Sequence, residues 1–108
     1  MSEPADAAGP SPQHHPPEGA IVRVLPIVNS KGLHARAAAQ FVLTVEKFDA
    51  EVTVTRGHET VGGTSIMGLL MLSAAPGTSI TVTAAGTQAA EVMAALEALV
   101  AGRFGEGE

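Results

Sequence analysis

The chain has no cysteine, no tryptophan and no tyrosine among its 108 residues. Without cysteine there is no disulfide, no thiolate nucleophile and no thiolate-ligated metal. Base stacking would have to rest on Phe41, Phe48 and Phe104 alone. Basic residues are scarce as well: six Lys and Arg stand against eleven Asp and Glu, for a net charge of −5. Arg23, Lys31, Arg36, Lys47, Arg56 and Arg103 are spread along the chain. Nucleic-acid binding needs a concentrated basic surface to displace counterions from phosphates, so no nucleic-acid partner is expected. Long apolar runs are missing too. The longest, Ile66 to Leu72, is far short of the roughly 20 residues that span a bilayer. Met1 to Ala20 has neither a basic start nor the apolar stretch of about 7–15 residues that marks a secretory signal. The expectation is a cytoplasmic protein with no membrane partner. Aspartate is limited to Asp6 and Asp49, so a paired-carboxylate site would need surface glutamates. HExxH, GxSxG and the phosphate-cradling GxxxxGK[ST] loop are all absent.

What is present is the composition of one ordinary globular domain, 45% apolar and mostly Ala, Val and Leu. Residues 1–20 differ from the rest. Pro4, Pro10, Pro12, Pro16 and Pro17 fall there among Ala, Gly, Ser and acids. Such a segment cannot bury enough apolar surface to offset the entropy of ordering, so it is expected to be a disordered tail. His14 and His15 lie in it and could bind metal only weakly. Ile21 to Val28 is rich in β-branched residues and predicts a strand, with Pro26 pointing to an edge or a bulge. Ala38, Phe41, Val42 and Val45 fall at i, i+3, i+4 and i+7, which predicts a helix ending near Lys47. Ala50 to Arg56 alternates, Gly57-His58 reads as a hairpin turn, and a short strand follows to Gly63. Thr64 and Ser65 precede Ile66, Leu69 and Leu70, the pattern of an N-cap and a short helix. Pro76-Gly77 marks a turn, Ser79 to Ala84 alternates again, and Ala89 to Val100 carries a helical stripe capped by Gly102. Gly105 to Glu108 is expected to fray.

The order β-α-β-β-α-β-α implies an α+β domain: one antiparallel sheet with a single face covered by helices. A domain this small buries only about 60–65% of its unfolded surface. It has little room for a deep pocket, so function should sit on the surface.

The informative stretch is Gly32-Leu33-His34-Ala35-Arg36. His34 stands where a loop meets a helix. The first N–H groups of a helix have no intrahelical acceptor and lie at the positive end of its dipole. An anion bound there is stabilised by both. A histidine at that place can present a ring nitrogen to a phosphoryl donor, and the resulting dianion would lie near the amides of residues 35–37. Arg36 could add a charge-assisted hydrogen bond. As a cation it opposes the helix dipole, a local conflict that an arriving anion would relieve. A histidine followed by arginine at a helix start also serves as an ordinary cap or surface residue, and spacing alone leaves both readings open. A glycine hinge at Gly32 and the lack of any other candidate site favour phosphoryl transfer.

GLHARAAAQF resembles the active-site signature of the HPr family, the histidine-phosphorylatable phosphocarriers of the bacterial phosphotransferase system. That pattern is G-[LIM]-H-[AT]-R-P-A. TSIMGLLMLSAAPG resembles the family's second signature. The resemblance covers residues 21–104, with both motifs at the expected separation. It implies an open-faced β-sandwich, a four-stranded antiparallel sheet with three helices on one face. It implies phosphorylation of His34 at Nδ1, an Arg36 that contacts the phosphoryl group, and a regulatory Ser65 modified by an HPr kinase/phosphorylase. It further implies no cofactor, no metal, and a role as phosphoryl-transfer intermediate rather than stand-alone enzyme. The implied partners are enzyme I and EIIA-type proteins. They would dock on a face that takes in Met67, Leu70, Met71 and Gln40. The helix is too short to bury all its apolar residues, so Met67 and either Leu70 or Met71 should be exposed.

One departure is plain: Ala37 stands where the family has proline. Proline early in a helix costs no hydrogen bond and presets φ, so Ala37 should leave a slightly looser helix start. FDAEV (48–52) and LLML (69–72) look more like the nitrogen-related branch, NPr. Ser65 is also a plain N-cap candidate, and His58, in the hairpin, should be exposed and inert. The rival class is a non-catalytic regulatory or ligand-binding α/β sandwich, which needs no exposed histidine at a helix start.

Overall fold

The computed structural model describes residues 19–106. The expected tail, with His14 and His15, lies outside the described residues apart from 19 and 20, as do 107 and 108. The elements are β1 (Ile21–Pro26), α1 (Ala35–Val45), β2 (Glu51–Arg56), β3 (Glu59–Gly62), α2 (Ile66–Met71), β4 (Ser79–Ala85) and α3 (Ala89–Ala101). They follow the order that the sequence predicts.

The four strands form one antiparallel sheet in the order β1-β4-β2-β3. Each helical crossover, β1-α1-β2 and β3-α2-β4, leaves its two strands non-adjacent, and the sheet closes with β4 between β1 and β2. Pro26 ends an edge strand, where its missing N–H breaks no ladder. Alternation decides the faces. Leu25, Val52, Val54, Ile80, Val82 and Ala84 are buried on one side, under Phe41, Val45, Leu69, Val92, Leu96 and Val100 of the helices. The other side is open and carries Val22, Val24 and a run of threonines, of which Thr55 and Thr60 share a 2.8 Å hydrogen bond between hydroxyls.

The differences from expectation lie at element ends. Helix α1 stops at Val45, not Lys47. There the N–H groups of Lys47 and Phe48 reach back only three residues, to the carbonyls of Thr44 and Val45, a tightened last turn common at helix ends. Strand β1 stops at Pro26 rather than Val28, yet the pairing continues as loop contacts: Ile27 N–H donates to Thr78 O at 2.8 Å and Gly77 N–H to Ile27 O at 3.0 Å.

The larger difference is the C-terminus. Gly105 and Glu106, part of the segment expected to fray, are folded back on the domain. Arg103, Phe104 and Gly105 make one left-handed turn at φ of 61°, 54° and 76°. A non-glycine residue in that region costs roughly 1–2 kcal/mol. Phe104 offsets it by burying its ring to 3% exposure, worth about 1.5–3 kcal/mol. The turn brings Glu106 back against the loop before α1.

Candidate functional site at the start of the first helix

The site is built on the loop 29–34. Asn29 is completely buried. Its carbonyl accepts from Gly32 N–H at 3.3 Å, a turn with Asn first and Gly fourth. Leu33 is buried, and its N–H donates to Ala74 O at 2.9 Å. The loop is thereby fastened to the chain that leaves α2. Gly32 is buried at φ +66°, with space for no side chain against Ala74 O.

His34 is the N-cap of α1, with extended backbone at φ −82°, ψ −177°. Its carbonyl accepts the first helical bond, from Ala38 N–H at 2.8 Å. Its ring nitrogens have different partners. Nδ1 accepts from Arg36 N–H at 3.3 Å, a long bond. Nε2–H donates to Glu106 Oε2 at 2.7 Å. A backbone N–H can only donate and a carboxylate accepts, so the partners fix the neutral ring as the Nε2–H tautomer. The lone pair then resides on Nδ1, at the helix start.

Glu106 Oε2 also accepts from Asn29 Nδ2 at 2.9 Å, and the same Nδ2 donates to Gly32 O at 2.8 Å. Both partners are acceptors, which settles the orientation of the amide. The His34 side chain is 27% exposed and that of Glu106 only 12%. The ring is therefore anchored on one edge by a nearly buried carboxylate and reaches solvent on the other.

Arg36 is exposed, and its guanidinium has no partner among the described residues. No acidic residue occupies the first turn of α1. Ala37 is buried in that turn, and its N–H is among the donors without an intrahelical acceptor. A proline there would lack this donor. The arrangement puts the Nδ1 lone pair and the first-turn N–H groups at the start of α1, with the exposed Arg36 in the same turn.

Ser65 is the N-cap of α2, its Oγ accepting from Gly68 N–H at 2.9 Å, and it is exposed. Arg56 Nη1 donates to Leu72 O at 3.1 Å and secures the far end of that helix. Met67 and Met71 are each 68% exposed and Ile66 42%. Of the two alternatives for the exposed position, Met71 takes it. Leu70 is half-buried and packs on the core, as Leu69 does more completely, because a one-and-a-half-turn helix turns both inward. Gln40 is half-buried, its carbonyl accepting from Thr44 Oγ1 at 2.8 Å. His58 is exposed in the β2–β3 turn. No group of three or more His, Asp or Glu is set to hold a metal, and no helix is long and apolar enough to cross a membrane, among the described residues.

Sequence reading missed Asn29 and Glu106. Asn29 carried a turn signal, Asn with Gly three later. Glu106 carried none: an acid between glycines near a chain end reads as solvent-exposed.

The family model described as the phosphotransferase-system HPr component phosphorylation site matches residues 21–102. The phosphocarrier protein HPr of Neisseria meningitidis serogroup A is 51% identical over 82 residues, covering 76% of this chain and 92% of that protein. The phosphocarrier protein NPr of Shewanella violacea is 39% identical over 86 residues, covering 80% and 94%. A crystal structure of HPr from Thermoanaerobacter tengcongensis superposes with a TM-score of 0.78 at 35% identity, covering 82% of this chain and 99% of that one. The family model spans residues 21–102, the relatives match over most of their own length and the fold superposes on a solved HPr, and the chain belongs to the HPr family of phosphocarrier proteins.

Proposed function

We propose that this chain takes a phosphoryl group from phospho-enzyme I onto His34 Nδ1 and hands it to EIIA-type proteins. The observation that carries this reading is the split environment of the His34 ring. Nδ1 holds the lone pair at the amide-lined start of α1, while Nε2–H is tied to a carboxylate. In the forward step Nδ1 gives up its long bond from Arg36 N–H, and the freed lone pair attacks phosphorus. The bond from phosphorus to the donor nitrogen breaks, and its electron pair stays with the donor. The ring becomes an Nδ1-phosphoryl imidazolium. The free amides of the first turn and the Arg36 guanidinium stabilise the transferring group. The return step reverses these movements toward the acceptor.

The test is incubation with enzyme I and phosphoenolpyruvate, followed by intact mass measurement under alkaline conditions. The expected result is a single added phosphoryl group, stable in base and labile in acid. No mass increase with an active enzyme I overturns the reading.

Arg36→Ala should slow transfer and leave the fold intact, because the side chain is exposed. One charge-assisted hydrogen bond of about 1.5–3 kcal/mol corresponds to a loss of roughly ten- to a hundredfold in rate. Rapid-quench measurement of transfer checks it, and an unchanged rate removes Arg36 from the site.

Ser65 is read as the regulatory serine, with an HPr kinase/phosphorylase as its modifying enzyme. It borders Met67 and Ile66, whose exposure suits an apolar docking face for enzyme I and the EIIA proteins. Met71, rather than Leu70, extends that face. Aspartate is as good an N-cap as serine, so Ser65→Asp should keep the circular-dichroism spectrum. It should weaken enzyme I binding and slow phosphorylation of His34, by charge placed at the interface. The effect should shrink at high salt, since exposed charges are screened beyond about 8–10 Å at physiological ionic strength. Wild-type transfer in Ser65→Asp would leave Ser65 as a helix cap and nothing more.

A further inference from the structure

We infer that Glu106 is a positioning residue for phosphoryl transfer: its carboxylate, itself held by Asn29, fixes the His34 ring in the Nε2–H tautomer and opposes the positive charge the ring gains when Nδ1 takes the phosphoryl group. The inference rests on the reading of His34 as the phosphorylated residue and adds a group that the site motif does not contain.

Three observations carry it. The first is geometry. Glu106 Oε2 lies 2.7 Å from His34 Nε2 and 2.9 Å from Asn29 Nδ2. Asn29 is 0% exposed and spends its second amide hydrogen on Gly32 O, in the loop that leads to His34. The carboxylate is thus attached to the same turn that positions the ring, with residues 72 to 77 apart in sequence brought to one point.

The second is backbone. An acidic residue near a chain end would ordinarily stay in solvent. Here it is brought inward by a left-handed turn at Arg103 and Phe104, paid for by burial of the Phe104 ring. The side chain of Glu106 ends only 12% exposed.

The third is electron balance. A neutral imidazole has one lone-pair nitrogen, and free histidine divides its proton between two tautomers. Attack through Nδ1 requires the proton on Nε2. As the Nδ1–P bond forms and the donor bond breaks, the ring gains a positive charge that includes the Nε2–H group. A carboxylate 2.7 Å away strengthens its hydrogen bond as that charge develops. The proton stays on Nε2 throughout, and on transfer to an acceptor the electron pair of the Nδ1–P bond returns to Nδ1. Glu106 forms no bond to phosphorus and faces the ring edge opposite Nδ1.

The experiment compares wild-type protein, Glu106→Ala and Glu106→Gln, full-length and labelled with ¹⁵N in histidine. Ring ¹⁵N shifts are recorded in the neutral form, and the rate of His34 phosphorylation by enzyme I is measured beside them. Wild type should show one tautomer, with Nε2 protonated. Glu106→Ala should show averaged shifts from both tautomers and a rate about tenfold lower. Glu106→Gln keeps an acceptor oxygen without the charge. It should retain the Nε2–H tautomer with a rate between the other two. Glu106→Gln keeps an acceptor for Asn29 and should melt near wild type, whereas Glu106→Ala leaves the buried Asn29 amide one acceptor short and should melt several degrees lower, so rates are compared at a temperature where all three proteins are folded by circular dichroism. Wild-type shifts in Glu106→Ala, or equal rates in all three proteins, overturn the inference while His34 still labels. Absence of labelling in wild type itself overturns the phosphocarrier reading instead.

Discussion

His34→Ala should abolish enzyme I-dependent labelling. Three other histidines, His14, His15 and His58, remain in that variant, so the experiment asks whether the site or merely the residue type matters. His58 is exposed in the β2–β3 turn and has neither a carboxylate partner nor a helix start beside it among the described residues. Loss of fold is not a competing explanation. As an N-cap, His34 contributes one long hydrogen bond, at 3.3 Å, to Arg36 N–H. Replacing a good cap by alanine costs about 1 kcal/mol, and the cap here is weaker than most. The carbonyl of residue 34 still accepts the first helical bond from Ala38 N–H. The variant should therefore melt within a few degrees of wild type and carry no acid-labile phosphoryl group by mass. Undiminished labelling would move the phosphorylation site elsewhere. The same variant removes the ring partner of Glu106 Oε2 and leaves its bond from Asn29 in place, beside the buried Phe104 ring that holds the C-terminal turn.

The strand and helix order was legible because each element writes its own period. Val52 and Val54 alternate with exposed positions, and Phe41, Val42 and Val45 repeat along one helix face. Pro26 pointed to an edge or a bulge for a local reason, a missing donor, and the structure has the edge. His34, Arg36 and Ser65 were legible for a similar reason: each stands at a helix start, and helix starts have local signals. What was not legible is what depends on distant partners. Nothing in Phe104-Gly105-Glu106 shows that the ring will be buried and the acid drawn 72 residues back to His34. The choice between Leu70 and Met71 likewise depended on where α2 meets the core rather than on composition. At Gly32, expected as a hinge, the structure shows a second property that sequence alone does not display, the absence of a side chain where two backbones meet.

That close approach makes Gly32→Ala a strongly damaging substitution. Two costs add. Gly32 sits at φ +66°, where a Cβ costs roughly 1–2 kcal/mol. The added Cβ would also lie 2.6 Å from Ala74 O and 3.1 Å from Ala75 Cα. Both are backbone atoms, which cannot rotate aside as a flexible side chain would. The obstructed oxygen is the one that accepts from Leu33 N–H, so relief of the clash requires weakening the bond that fastens the loop. Together these suggest about 2–4 kcal/mol of destabilisation, a fall in melting temperature of roughly 10–30 °C for a domain of this size. The Gly57→Ala variant separates the two costs. Gly57 has nearly the same φ, +63°, with nothing within 4 Å of its Cβ position. It should lose only the conformational part, about 1–2 kcal/mol, and keep wild-type transfer, since the β2–β3 turn is not part of the loop that carries His34. In Gly32→Ala the displaced loop carries Asn29 and His34 with it. Phosphoryl transfer should therefore fall even at temperatures where the variant is fully folded. Equal melting temperatures for the two alanine variants would mean that the 32–74 contact yields without cost. Unimpaired transfer in folded Gly32→Ala would mean that the ring of His34 is placed by α1 alone.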